Sequence, residues 1–80
     1  MYITVEISYY PLVADYCQPV EELLEILKQQ TGISVDTGVM STQIGGEYEP
    51  VMRLLGISMK QLMEKYPSVF TLKIANACKV

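Results

Sequence analysis

Eighty residues, half of them apolar and 19% charged, suffice for one small domain and exclude disorder driven by charge. A net charge of −3 and an isoelectric point near 4.7 leave no electrostatic footprint for a phosphate backbone, so nucleic acid is not an expected partner. The chain has no histidine, which removes histidine-dependent triads and zinc sites built on imidazole.

From Tyr2 to Tyr10 the residues alternate, with Ile3, Val5, Ile7 and Tyr9 on one side and Tyr2, Thr4, Glu6, Ser8 and Tyr10 on the other. That period predicts a strand buried on one face, closed by Pro11, which has no backbone donor. Over Pro19 to Gln30, Val20, Leu23, Leu24 and Leu27 recur at amphipathic-helix spacing. Pro19 suits the first helical position, Glu21 and Glu22 the positive end of the helix dipole, and Gly32 the position just past the end. Next, Ile33, Val35 and Thr37, then Met40, Thr42 and Ile44, alternate with polar residues or glycine and predict a hairpin of two short strands, ended by Gly45-Gly46. Glu47 to Lys65 predicts a second helix with Val51, Leu54, Leu55, Ser58 and Leu62 on its inner stripe. Met52, Met59 and Met63 widen that stripe as core filling. Gly56 costs this helix about 1 kcal/mol relative to alanine unless close packing requires it. Pro67 stops it, and Ser68 to Ala77 alternates again with Phe70, Leu72 and Ile74 inward.

The order βαββαβ predicts an α+β, ferredoxin-like sandwich that takes in residues 1–80 as one domain. Its four-stranded antiparallel sheet would have the order 4-1-3-2, with two helices on one face. The uncovered face would carry Thr4, Glu6, Ser8, Tyr10, Ser41, Gln43, Thr71 and Lys73, a mixed polar surface suited to sheet-to-sheet association. Glu6 and Lys73 are expected to pair across strands, and Glu21, Glu22 and Glu25 to form a solvated helix face.

Antiparallel neighbours bring the end of the first strand (Ser8, Tyr10, Pro11) beside the start of the third (Met40, Ser41, Thr42). In one reading, Tyr9 and Tyr10 fill space there while Ser41 and Thr42 satisfy hairpin backbone groups. In the other, an aromatic wall and several hydroxyls hold a flat, polar heterocycle. The start of the first helix lies at the same end. Cys17 lies there too and Cys78 near the opposite end, roughly 30 Å away along a nine-residue strand. A disulfide tolerates about 7 Å between Cα atoms, so an intrachain bridge is not expected. Without a histidine to activate it, Cys17 is not expected to act as a nucleophile.

Ser8-Tyr9-Tyr10-Pro11-Leu12, then Met40-Ser41-Thr42, then Ile44-Gly45-Gly46-Glu47 leading into a helix with Val51, resemble the thiamine-binding YkoF-like family. Order, spacing and length resemble a single-repeat member along nearly the whole chain. The resemblance implies the ferredoxin-like fold, a homodimer or homotetramer joined through the sheets, and binding of thiamine or its hydroxymethylpyrimidine moiety. It implies a binding module rather than an enzyme, acting in vitamin supply or salvage, with no catalytic residue, no metal and no cofactor beyond that ligand. The positions carried over as ligand-binding are Ser8, Tyr10, Pro11, Met40, Ser41 and Thr42. Ser41, Thr42 and nearby backbone would serve the aminopyrimidine edge, and Asp36 or Glu6 its amino group. Tyr9 departs from the family's commoner aliphatic residue and would narrow a pocket.

The rival reading is an oligomeric assembly domain with no metabolite. An amino-acid-sensing domain of this fold would usually be attached to an enzyme, an acylphosphatase needs a cationic cradle that Arg53 within a helix does not make, and RNA binding needs basic residues among the aromatics. No apolar run approaches the roughly 18 residues of a membrane span, and no leader pattern follows Met1, so a cytoplasmic protein without membrane contact is expected.

Overall fold

The structure, a computed structural model, describes residues 1–77, so the readings made of Cys78 and the two residues after it lie outside the described residues. Its elements are β1 (Tyr2–Pro11), α1 (Cys17–Lys28), β2 (Ser34–Thr37), β3 (Thr42–Glu47), α2 (Tyr48–Lys65) and β4 (Ser68–Ala75). The strands form one antiparallel sheet in the order β2-β3-β1-β4, and both helices pack on the same face. The predicted ferredoxin-like α+β fold is the observed one.

β1 is central because its alternation buries one face completely. Ile3, Val5 and Ile7 are at most 2% exposed. They lie opposite Gly46, Ile44 and Thr42 of β3, and Val5 and Ile7 opposite Ile74 and Leu72 of β4. Leu23 and Leu27 of α1 and Val51, Leu54, Leu55 and Leu62 of α2 close the core. Ser58 is fully buried within that stripe, and its hydroxyl donates to the Leu54 carbonyl at 2.6 Å, which satisfies a polar group inside the core. Among the described residues no helix is long and apolar enough to cross a membrane.

Several boundaries differ from the sequence reading. α1 begins at Cys17, so Pro19 sits third in the first turn, where its missing N–H costs nothing because first-turn amides have no intrahelical partner. Glu21 and Glu22 consequently fall beyond the first turn, which contains no acidic residue. The helix ends at Lys28 with Gln29 as its cap, so Gly32 does not terminate it. Instead Gly32, at φ +81°, makes the left-handed turn that directs the chain into β2. Pro11 is the last residue of β1, opposite Ser68, and β4 ends at Ala75.

Gly45 and Gly46 do not end the third strand. They are buried inside β3, opposite Thr4 and Ile3, and the strand runs into α2 without a loop. A Cβ on Gly46 would lie 3.1 Å from Val51 Cγ2 and 3.3 Å from the Gly32 carbonyl oxygen, so the first turn of α2 rests directly on bare backbone. On the other face, the Tyr2 ring covers Gly45 closely enough that a Cβ there would meet its hydroxyl. Gly56 has no such reason to be glycine, because nothing approaches its Cβ position within 4 Å.

Candidate functional site

At the end of the sheet where β1 finishes, the helices no longer fill the space above the strands. Alternation points the Tyr9 side chain to the helix side, where its ring stacks on Phe70 at 4.3 Å between centroids and 3° between planes. The Tyr9 hydroxyl lies 3.0 Å from the Ser68 hydroxyl, which itself donates to the Tyr66 carbonyl at 3.0 Å. Two contacts therefore fix the ring. Thr42, 8% exposed, sits between Ile7 of β1 and Thr37 of β2, so hydroxyls take over from the aliphatic core one step beyond Ile44. Leu23, Leu24 and Val20 of α1 form the opposite wall.

Tyr9, Thr42 and these α1 residues line an open cavity of about 430 Å³, within the range of small-molecule sites. The β2–β3 turn borders it and is closed by Gly38 N–H donating to the Ser41 carbonyl at 2.8 Å. The turn's tip is Val39 and Met40, both apolar and almost fully exposed. Of the side-chain hydrogen bonds among the described residues, none engages Thr37, Ser41 or Thr42, so backbone rather than these hydroxyls closes the hairpin. They remain free to donate and accept.

Five of the six positions carried over, Tyr10, Pro11, Met40, Ser41 and Thr42, line this cavity. Ser8 is not among its lining residues; it sits on the open face of the sheet, opposite Thr71. Asp36 and Glu6 are not in the cavity either. Asp36 borders a smaller hollow of about 180 Å³ with Gln43, which Thr37 and Ser41 also line, and Glu6 faces Lys73 at 3.8 Å across neighbouring strands. Lining residues outside the six carried-over positions include Tyr9, Tyr16, Thr37 and the α1 wall. Thr37 was findable, because a two-residue turn puts it opposite Thr42. Tyr9 had the right orientation but was read as narrowing the pocket rather than walling it. No signal pointed to Tyr16.

A separate polar cluster clasps the helices near the end of α2. Glu22 is half-buried rather than solvated as expected, because the Lys65 ammonium bonds to it across the helix pair. That bond holds the Glu22 carboxyl below its usual range, with the Tyr66 hydroxyl acting in the same direction, and raises Lys65. The Glu22 carboxylate in turn pushes the Tyr66 phenol up. The Lys65 ammonium also lies 5.5 Å from the centre of the Tyr66 ring. Cys17 is exposed, and among the described residues no three metal-ligating side chains are grouped to hold an ion.

The fold recurs in solved structures. A Streptococcus pneumoniae protein is similar at a TM-score of 0.88 and 19% identity, with 96% of this chain and 88% of that one covered. A Thermotoga maritima protein, provisionally named as acting in thiamine biosynthesis or salvage, is similar at 0.84 and 22% identity, with 96% and 85% covered. A Bacillus cereus domain of unknown function, DUF77, is similar at 0.78 and 20% identity, with 96% and 77% covered. At these identities the likeness establishes the shared fold. No protein-family model and no curated protein matches the chain.

Proposed function

We propose that this chain is a non-catalytic binding protein for thiamine or its hydroxymethylpyrimidine moiety, held in the cavity at the end of β1, and that it serves vitamin supply or salvage. The observation that carries this reading is the cavity's composition. A flat aromatic ring needs a fixed aromatic wall, and Tyr9, pinned by Phe70 and Ser68, supplies one. A polar heterocycle edge needs uncommitted donors and acceptors, and the hydroxyls of Thr37, Ser41 and Thr42 supply them beside an otherwise apolar lining. Tyr16 adds a second aromatic ring to the lining, which favours a cationic thiazolium. The provisional name of the Thermotoga neighbour lies in the same direction.

The open face of the sheet supports self-association into a homodimer or homotetramer as part of this proposal. Tyr2, Tyr10 and Val69 are each about half exposed there. The same observation supports the second reading, an assembly domain with no metabolite. Titration with thiamine and with the pyrimidine alone, followed by calorimetry and thermal shift, distinguishes the two. Ligand at a hundred times its Kd adds about 2.7 kcal/mol of apparent stability. Replacing Ser41 and Thr42 together by alanine is expected to weaken binding by at least about tenfold, the worth of one or two hydrogen bonds. Unchanged affinity in that double variant would remove the proposed site.

A further inference from the structure

Resting on the reading of the open sheet face as a surface for self-association, we infer that two copies pack these faces about a two-fold axis parallel to the strands, joined by reciprocal Asp36–Lys73 contacts. The strand register carries this. Asp36 of β2 lies opposite Gln43 of β3, Gln43 opposite Glu6 of β1, and Glu6 opposite Lys73 of β4. All four side chains stand on the open face, because their neighbours Val35, Ile44, Val5 and Leu72 pack into the core. They form one row across the whole sheet, with charges that run negative, neutral, negative, positive from the β2 edge to the β4 edge. Glu6 is midway between Tyr2 and Tyr10, so the row crosses the centre of the face.

A self-complementary contact between aligned sheets has its axis either across the strands or along them. An axis across the strands through this row sets Asp36 on the partner's Asp36 and Lys73 on the partner's Lys73, like charge on like. An axis along the strands, between β3 and β1, reverses the row. Asp36 then meets the partner's Lys73, Gln43 meets the partner's Glu6, and symmetry repeats each contact. The same axis sets the half-exposed Tyr10–Val69 pair at one end of the face on its own copy, apolar against apolar. The polar groups are available for these contacts. Asp36 and Gln43 are exposed, and among the described residues neither side chain makes a hydrogen bond or salt bridge. Lys73 approaches Glu6 only to 3.8 Å with 81% of its side chain exposed, so its ammonium keeps donors for a second carboxylate. Four strands in width and the eight residues of β4 in length make the face roughly 19 by 26 Å. Covering it with a copy buries on the order of 1,000 Å² in total, the size at which specific interfaces begin.

Sedimentation equilibrium on the full chain tests this, with circular dichroism to confirm that each variant folds. The wild type is expected to self-associate with a dissociation constant that weakens severalfold in about 0.5 M salt. Asp36→Lys and Lys73→Asp are each expected to weaken association by at least about tenfold, because symmetry puts two like-charge contacts into one interface. The combined variant, Asp36→Lys with Lys73→Asp, is expected to return the constant to within about threefold of wild type. That recovery is read against Lys73→Asp alone, since both lack the Lys73–Glu6 contact. Association that neither single variant weakens overturns this pairing while leaving self-association standing, and so does a combined variant that fails to recover. A monomeric wild type removes self-association and this inference together, whereas thiamine binding in calorimetry is a separate readout that bears on the cavity alone.

Discussion

The two ends of the β1–β3 pair are built from the same strands and serve opposite purposes. Where β1 begins, Ile3 lies opposite Gly46, and α2 presses so close that the strand has no side chain to spare. Where β1 ends, Ile7 lies opposite Thr42, Tyr9 follows, and the helices leave a volume of about 430 Å³. The first end uses the absence of a side chain to bring two elements together. The second uses hydroxyls and a stacked tyrosine to line a space that no element fills. A small fold can leave such a space open only if its core is completed elsewhere, and the glycine end is where that occurs.

The strongest way to break this comparison is to crowd the packed end. Gly46→Val is expected to cost about 3 kcal/mol in chemical denaturation, because its methyl groups meet Val51 and the Gly32 carbonyl. At the open end Thr42→Val should change stability by no more than about 1 kcal/mol, since the hydroxyl engages no protein group, yet weaken ligand binding about tenfold. Equal stability losses in the two variants would mean that the open end is ordinary core. Ser68→Ala should cost about 1 kcal/mol and loosen Tyr9, visible as a larger loss in ligand affinity than in melting temperature. Gly56→Ala, at neither end and touching nothing, should stabilise by about 1 kcal/mol.

The smallest effect is expected at the helix clasp. The lowered Glu22 carboxyl contributes stability above its ordinary value of 4.5, lost as pH falls through the lowered value. The raised Lys65 contributes stability below its ordinary 10.5, lost as pH rises through the raised one. The stability difference between wild type and Lys65→Met should therefore be flat from about pH 5 to 10, shrink beyond both limits, and weaken in salt because the Lys65 side chain is 57% exposed. A difference that kept growing above pH 10 would show that the clasp is not an ion pair.

Most of the fold was legible in the chain, and the reasons are local. Alternation in β1 names its buried face before any partner is known, and the leucine spacing of both helices names theirs. The Gly45-Gly46 pair was misread because glycine signals a turn in isolation, whereas here it marks close approach by α2 and Tyr2. Glu22 was misread because nothing in the sequence around α1 reveals that Lys65 will reach it from the end of α2.

The sequence alone determined the elements, their order and the polarity of each face, because these follow from periods of two and 3.6 residues within single segments. The tertiary structure decided that Tyr9, Thr37 and Thr42 share a cavity with Tyr16 and the α1 wall, and that Ser8 does not line it. A cavity is the space that several segments fail to fill, so its size depends on where α1 begins and how the hairpin turns, and no one segment records that.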